Sequence, residues 1–284
     1  HGAKCSAGHP IEQMFDTRWA YARTPLITLE TMADDETMYG SLGRLAPAWG
    51  SDEVLGGDAI YERFFAWVRD AKGIDPWPHQ EEAIMDLLAG DHVILNTPTG
   101  SGKSLVALGM HFAALCTSRR SYYTAPIKAL VSEKFFDLVE VFGRDNVGMI
   151  TGDSHINPDA PIICCTAEIL ANQALREGTH ADIGCVAMDE FHFYGDPERG
   201  WAWQVPLLTL PQTQFLLMSA TLGDVDAIAR KLERMTDADV DIIADAPRPV
   251  PLTYEYTLQP LERTVEHAFA NGETPIYVVH FSQD

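Results

Sequence analysis

An eight-residue loop, Thr-Pro-Thr-Gly-Ser-Gly-Lys-Ser at positions 97–104, constrains the fold more than any other feature of the sequence. The apolar run His92 to Asn96 before it predicts a buried strand, and the apolar periodicity of Lys103 to Cys116 predicts a helix. A glycine-rich turn between a strand and a helix aims backbone N–H groups and the positive end of the helix dipole at one point, which suits a phosphate. We therefore expect a parallel sheet with a phosphate-binding loop at its carboxyl edge.

The side chains of the loop suit a nucleoside triphosphate and its cation. Gly100 and Gly102 allow the backbone to curl around phosphate oxygens. Lys103 can reach the β- and γ-phosphates, and the Ser104 hydroxyl can ligate Mg²⁺. The general pattern G-x-x-x-x-G-K-[ST] is missed only at its first position, where Thr97 replaces glycine. The predicted ATP-binding residues of the loop are Thr97, Pro98, Thr99, Gly100, Ser101, Gly102, Lys103 and Ser104.

A second group that carries chemistry is Asp189-Glu190-Phe191-His192, directly after the apolar run of residues 185–188. At the carboxyl end of a strand beside the phosphate loop, Asp189 would hold Mg²⁺, and Glu190 would orient and deprotonate the attacking water. A solvated acidic turn is the alternative interpretation, and the loop upstream argues against it. The predicted catalytic residues are Lys103, Asp189 and Glu190, and the predicted metal ligands are Ser104 and Asp189.

Short apolar runs separated by helical patterns follow the loop. Runs of this kind are typical of parallel strands that helices cover on both faces. We therefore predict an α/β fold with a mostly parallel, doubly wound sheet. The runs after the loop are residues 122–125, 147–150, 162–166, 185–188 and 215–218.

Composition adds limits on the environment and the partners. Five cysteines without a Cys-x-x-Cys pair indicate free thiols in a reducing cytoplasm, and no apolar run is long enough to span a membrane. Cys5 and His9 lack a second pair of metal ligands. The net charge of −21 argues against a broad basic surface, although a local groove can still bind phosphate. The acidic stretch 224–245 is interpreted as a solvated helix face and loop.

Prolines indicate a domain boundary near residue 250, because Pro247-Arg248-Pro249-Val250-Pro251 cannot continue a helix or a central strand. We predict an irregular N-terminal arm with a helix at 59–68 (residues 1–75), an α/β domain (76–250) and an incomplete second domain (251–284). The last is expected to contain a strand, a helix and a strand at 252–258, 261–270 and 276–281. Lacking an initiator Met, the chain is expected to be part of a longer protein.

Taken with these motifs, the chain resembles the superfamily 2 DExH-box helicases, in particular the superkiller-like branch with its archaeal and actinobacterial relatives. The resemblance covers residues 76–284 and depends on motifs that follow in the family's order. They are Asp-Glu-x-His at 189–192, Pro78-His79-Gln80, and the segments 124–130, 150–153, 166–170, 219–221, 248–252 and 276–282.

The resemblance implies a RecA-like P-loop domain that hydrolyses ATP with Mg²⁺ and moves along or unwinds single-stranded RNA or DNA. It implies that Gln80 contacts adenine and that His192, Ser219 and Thr221 couple the nucleotide state to strand movement. A second RecA-like domain in the same full-length protein, with the family's arginine finger beyond Asp284, is implied as well. This chain alone would then bind ATP and hydrolyse it very slowly. The implied nucleic-acid-binding residues are Pro126, Lys128, Gly152, Asp153, Thr166 and Glu168.

Several alternatives stay open at this point. Glu168 could simply begin a helix, and Gln80 could be an exposed helix residue. Arg199 also matches a family position, but it could instead simply start the next helix, and it receives no catalytic role. An ATP-gated clamp or remodelling subunit that grips nucleic acid without separating strands is the main functional alternative. A small-molecule kinase is a third, and the acidic motif together with Ser219-Ala220-Thr221 speaks against it.

Overall fold

The computed structural model describes residues 40–248 and 251–279. The chain divides into two units, one ending at Pro247 and one beginning at Arg248. The expectations placed on Cys5, His9 and the rest of residues 1–39 lie outside the described residues. So do linker residues 249–250 and the final residues of the last predicted strand.

One sheet of eight strands organises the first unit, in the order β4-β3-β5-β2-β6-β7-β1-β8. Only β4 is antiparallel to its neighbour, so the predicted α/β fold with a mostly parallel sheet is confirmed. The strands are β1 (His92–Asn96), β2 (Ser121–Ala125), β3 (Val147–Ile150), β4 (His155–Ile156), β5 (Ile162–Thr166), β6 (Cys185–Met188), β7 (Gln214–Ser219) and β8 (Val240–Ile243).

All six strands predicted from apolar runs are present, whereas β4 and β8 were missed. β4 has only two residues, too few for a pattern. β8 lies in the acidic stretch that was interpreted as a solvated helix face and loop, and this interpretation was wrong for residues 240–243. β8 is at the edge of the sheet, where β1 is its one partner within residues 40–248, and it accommodates the half-buried Asp241.

Among the described residues of the first unit, seven α-helices cover the two faces of the sheet. Because side chains alternate between the two faces along a strand, Val93 and Leu95 pack in one apolar cluster with α1–α4. Ile94 packs in a second cluster with α5–α7. The sheet is therefore doubly wound, as predicted. The helices are α1 (Gly57–Lys72), α2 (Pro78–Ala89), α3 (Lys103–Cys116), α4 (Lys128–Phe142), α5 (Ala167–Glu177), α6 (Trp201–Thr209) and α7 (Val225–Thr236).

The described residues that precede α2 share the core of the α/β unit. The helix predicted at 59–68 is α1, and its Phe64 ring stacks on Phe112 of α3 with centroids 6.0 Å apart. Leu42 is fully buried, and its backbone N–H donates to the Val141 carbonyl. This segment thus contributes large apolar side chains to the same hydrophobic cluster as α3 and α4.

The second unit contains the predicted helix as α8 (Leu261–Ala270). Two strands were predicted in this unit, at 252–258 and 276–281. Residues 252–258 and 276–279, the described part of the second segment, form no strand, so the predictions are wrong there. A strand exists by pairing, and residues 251–279 form no strand with which these segments could pair. Across the described residues, no helix is long and apolar enough to cross a membrane.

Candidate functional site

Nearly all the predicted site residues lie where six neighbouring strands end. Because carboxyl ends of parallel strands meet at one edge of a sheet, the topology gathers them there. We call the groups that follow β1, β6 and β7 the loop half; they comprise residues 97–104, 189–192 and 219–221. We call the groups that follow β2, β3 and β5 the ion-pair half; they comprise residues 126–128, 151–153 and 166–168. The halves adjoin where β2 pairs with β6.

The phosphate loop has the backbone that its glycines predict. Gly100 and Gly102 have φ of 84° and 75°, in the left-handed region that favours glycine. A Cβ on Gly102 would lie 2.1 Å from Nε2 of Gln80, so the loop is closed against α2. The Thr97 and Ser101 hydroxyls are 2.6 Å apart and buried, so these two side chains bond each other inside the loop.

Gln80 supports the phosphate loop from α2. Its Nε2 donates to the carbonyls of Ser101 and Gly102 at 3.0 and 3.2 Å, and its Oε1 accepts from the Trp77 backbone N–H at 2.9 Å. Gln80 is buried, so the alternative of an exposed helix residue is wrong. Its amide links the start of α2 to the turn that precedes Lys103.

Lys103 lies over the loop, where its Nζ donates to the carbonyls of Thr97 and Pro98 at 2.7 and 3.0 Å. Partial burial lowers the pKa of its ammonium, and the nearby charges of Asp189 and Glu190 oppose that shift. Neutral carbonyls are weaker acceptors than phosphate oxygens, so this arrangement fits an anionic ligand in the loop.

The acidic pair begins at the end of β6. The Asp189 N–H donates to the Thr124 carbonyl at 2.9 Å, which extends the β2–β6 pairing to the acid itself. Glu190 is in the left-handed region with φ of 49°, an unusual conformation for a residue with a side chain, and starts a short 3₁₀ turn.

Magnesium is implied by the sequence motifs, and the oxygen donors available fit a cation of that kind. Ser104 is exposed at the start of α3, and Asp189 is only half-buried. The described part of the chain has no cluster of three or more His, Cys, Asp or Glu side chains able to hold a metal ion. A Mg²⁺ ion here would therefore depend on nucleotide phosphates and water for most of its ligands, as is usual for this ion.

The three residues implied to couple nucleotide and strand are brought together. His192 Nδ1 lies 3.2 Å from Glu190 Oε2 and 3.4 Å from Ser219 Oγ. Ser219 Oγ in turn accepts from the Thr221 N–H at 3.2 Å. A chain of polar contacts therefore runs from Glu190 through His192 to the end of β7.

Oxygen and nitrogen groups of the ion-pair half pair with one another. Lys128 Nζ is 2.8 Å from Asp153 Oδ1, which also accepts from the Thr151 hydroxyl at 2.9 Å. These bonds from Lys128 and Thr151 lower the pKa of the Asp153 carboxyl. Gly152 is exposed beside them, and Thr166 is the buried N-cap of α5.

Arg199, which received no role from the sequence, joins several of the predicted residues. Its Nε and Nη2 donate to Glu168 Oε1 at 3.0 and 2.6 Å, and Nη2 also donates to the Pro126 carbonyl. Its guanidinium lies 5.8 and 5.9 Å from the ring centroids of Phe193 and Trp203. Glu168 thus does more than begin α5.

A local signal for Arg199 was present in the sequence. Asp196 Oδ1 accepts from the backbone N–H groups of Glu198 and Arg199, and a Cβ on Gly200 would lie 2.5 Å from the Asp196 carbonyl oxygen. Asp-x-x-Arg-Gly is therefore a tight turn that aims one arginine. Its targets, Glu168 and Pro126, could not be read from the turn.

Comparison with known proteins gives consistent matches. The family model described as "DEAD/DEAH box helicase" matches residues 77–228, more than half of the chain. The chain is 36% identical over 63% of its length to the DExH-box ATP-dependent RNA helicase DExH15, chloroplastic, of Arabidopsis thaliana. It is 37% identical over 62% to the antiviral helicase SKI2 of Saccharomyces cerevisiae, and 34% over 61% to the probable helicase HelY of Mycobacterium tuberculosis. These alignments span only 16%, 14% and 19% of the relatives.

Proposed function

The chain belongs to the DEAD/DEAH box helicase family, and from this membership we propose that it binds ATP with Mg²⁺ and couples ATP hydrolysis to movement along, or unwinding of, nucleic acid. The observation that carries the proposal is the single sheet edge on which the loop half and the ion-pair half adjoin at the β2–β6 pair. A nucleotide bound at the loop half would lie at the end of β6, and a nucleic-acid strand bound at the ion-pair half would lie at the end of the adjacent β2.

In the loop half, each residue has a proposed role that its position supports. Lys103 binds the β- and γ-phosphates in place of the loop carbonyls that it contacts here. Ser104 and Asp189 hold Mg²⁺, which neutralises charge on the phosphates when it is bound. Glu190 orients and deprotonates water. Thr97, Pro98, Thr99, Gly100, Ser101 and Gly102 shape the loop, with Gln80 between it and the adenine.

His192, Ser219 and Thr221 are proposed to relay the nucleotide state. The contacts that lead from Glu190 to His192 and Ser219 give any displacement of the general base a path to the end of β7. In addition, the Leu222 N–H donates to Asn96 Oδ1, next to the phosphate loop, at 3.2 Å. These contacts link the acidic turn, β7 and β1 into one mechanical unit.

The ion-pair half is proposed to bind a single strand of RNA or DNA without sequence preference. Its cations are balanced by carboxylates, so recognition there would use backbone amides and hydroxyls more than net positive charge. This accommodates the net charge of −21. The residues proposed to line it are Pro126, Lys128, Gly152, Asp153, Thr166 and Glu168.

We further propose the wider context of the chain. The alignments span under a fifth of the relatives, which supports a full-length protein with a second RecA-like domain beginning at residues 251–284, after a helicase domain at 76–250 and an arm at 1–75. The four described cysteines are all free and buried, which supports a reducing cytoplasmic location.

The deciding experiment combines nucleotide binding with strand displacement. We expect a fluorescent ATP analogue to bind this chain in the presence of Mg²⁺, and single-stranded RNA or DNA to raise the ATPase rate of the longer protein. Absence of nucleotide binding would refute the proposal. Stimulated ATPase without displacement of a labelled strand would instead support the ATP-gated clamp.

A further inference from the structure

Both carboxylate oxygens of Asp189 are held by hydrogen bonds from the protein. Oδ1 accepts from the Glu190 backbone N–H at 2.9 Å, and Oδ2 accepts from the Tyr123 hydroxyl. The first bond is local to the acidic turn. The second comes from another strand, β2, and from a residue 66 positions away in the sequence. The orientation of this carboxylate therefore depends on a tyrosine outside the helicase motifs.

The pairing register explains why a tyrosine can reach Asp189. Tyr123 lies opposite Ala187 of β6 on one side and opposite Cys164 of β5 on the other. Both neighbours are small, so the phenol ring has room to extend along the sheet face. Asp189 follows Ala187 by two residues and is on the same face, because side chains alternate along a strand.

Several neighbouring groups hold the phenol ring in place beside the acid. Tyr123 is 3% exposed and belongs to the apolar cluster beneath α3 and α4. The Lys134 ammonium lies 5.8 Å from its ring centroid, and the centroid of the His111 ring is 6.2 Å away. A ring fixed in this way gives its hydroxyl one direction, as a preorganised donor requires.

The phenol also borders the space next to the second proposed metal ligand. A cavity of about 310 Å³ opens between α3 and α4, and its lining includes Ser104 and Tyr123. Tyr123 thus bonds Asp189 and lines the same cavity as Ser104, and these are the two residues to which the proposed function assigns the cation.

We propose that Tyr123 is a positioning residue that orients the Asp189 carboxylate for Mg²⁺, and thereby raises the affinity of the nucleotide site for the metal. The proposal rests on the proposed function, in which Asp189 holds the ion. Donors that orient metal ligands commonly contribute 10- to 100-fold to metal affinity or activity. Tyr123 would supply that contribution through one hydrogen bond from β2 to Asp189, the residue that follows β6.

The test is Tyr123→Phe, with Tyr122→Phe as the matched control. Tyr122 is the preceding residue on β2, is equally buried, and points to the opposite sheet face. Binding of Mn²⁺ to the ADP complex is measured by electron paramagnetic resonance, and ADP affinity is measured by fluorescence with Mg²⁺ and with EDTA. Thermal unfolding of both variants checks that they fold.

We expect Tyr123→Phe to weaken Mn²⁺ binding by about 10-fold while ADP affinity in EDTA stays unchanged. Tyr122→Phe should leave both values at the wild-type level. In an Asp189→Asn background, Tyr123→Phe should cause no further loss, because the oriented group is gone. Unchanged metal affinity in Tyr123→Phe, or an equal loss in the Asp189→Asn background, would overturn the proposal.

Two further outcomes keep the test decisive. If Tyr123→Phe does not fold, 3-fluorotyrosine at position 123 keeps the ring and its hydroxyl and, with one fluorine atom added, changes the strength of the donor. Unchanged metal affinity there would also count against the proposal. If the wild-type chain shows no metal-dependent ADP binding at all, the proposed function itself fails, which is a separate result from a failure confined to Tyr123.

Discussion

The loop half and the ion-pair half lie on one sheet edge, but their charged side chains have different kinds of partner. In the loop half, the Lys103 ammonium contacts neutral carbonyls, and Asp189 accepts from a backbone N–H and a phenol. In the ion-pair half, Lys128 pairs with Asp153, and Arg199 pairs with Glu168. The first arrangement keeps charge available for a highly charged ligand. The second neutralises its charge and presents a shaped polar surface.

The largest effect expected from this comparison is the loss of Lys103. Lys103→Ala removes charge-assisted hydrogen bonds to phosphate, which we expect to weaken ATP binding by about 100-fold or more. Affinity for a labelled single strand should stay within about 2-fold, because the ion-pair half is untouched. Fluorescence titrations with an ATP analogue and with a labelled oligonucleotide measure the two. Lys128→Ala is the matched control, in which ATP affinity should stay at the wild-type level and only single-strand affinity should fall.

Glu190→Gln separates binding from chemistry inside the loop half. The amide keeps the shape of the side chain but cannot accept a proton from water, so the rate should fall about 100- to 10,000-fold. ATP affinity should not change. Single-turnover hydrolysis with excess protein measures the rate even when it is slow. Glu198→Gln, an exposed acid eight residues later, is the control; a parallel loss of ATP affinity in Glu190→Gln would contradict the role as base.

Arg199 tests whether one arginine organises the ion-pair half. Arg199→Ala frees Glu168 and Pro126, so we expect single-strand affinity to fall about 10-fold, or about 1.4 kcal/mol, with ATP affinity unchanged. Arg199→Lys should restore little, because an ammonium cannot reproduce the guanidinium fork. A double-mutant cycle with Glu168→Gln should give a coupling energy of about 1 kcal/mol in chemical denaturation. A coupling near zero would reduce the contact to an incidental one.

The sequence predicted the parts of this edge that are local. A strand, a glycine-rich loop and a helix are contiguous, so residues 92–116 could be interpreted without knowing any long-range contact. The turn at Asp196 to Gly200 is equally local, although it was not predicted. Six of the eight strands also followed from apolar runs that buried parallel strands require.

The remaining features depend on pairing partners that a pattern does not contain. Tyr123 reaches Asp189 only because β2 pairs with β6 in one register, and Arg199 reaches Glu168 only because α5 and α6 pack together. Edge strand β8 accommodates Asp241 because, among the described residues, no strand pairs with its outer side. The strands expected at 252–258 and at 276–279, the described part of 276–281, are absent for the reverse reason, since apolar residues alone do not provide a partner.

The smallest expected effect is on the salt dependence of single-strand binding. It tests whether the Lys128 charge in the ion-pair half is neutralised. The logarithm of the single-strand binding constant falls linearly with the logarithm of the salt concentration. The slope is about −0.7 for each phosphate that the protein neutralises. Because Lys128 is paired with Asp153, we expect a shallow slope of about −1 for the wild-type chain. Asp153→Asn keeps the shape but releases the ammonium, which should steepen the slope by about 0.7. Asp153→Asn combined with Lys128→Ala should lose that increment. An unchanged slope in Asp153→Asn would mean that Lys128 does not face the strand, so the ion-pair half would bind nucleic acid through its backbone and hydroxyl groups alone.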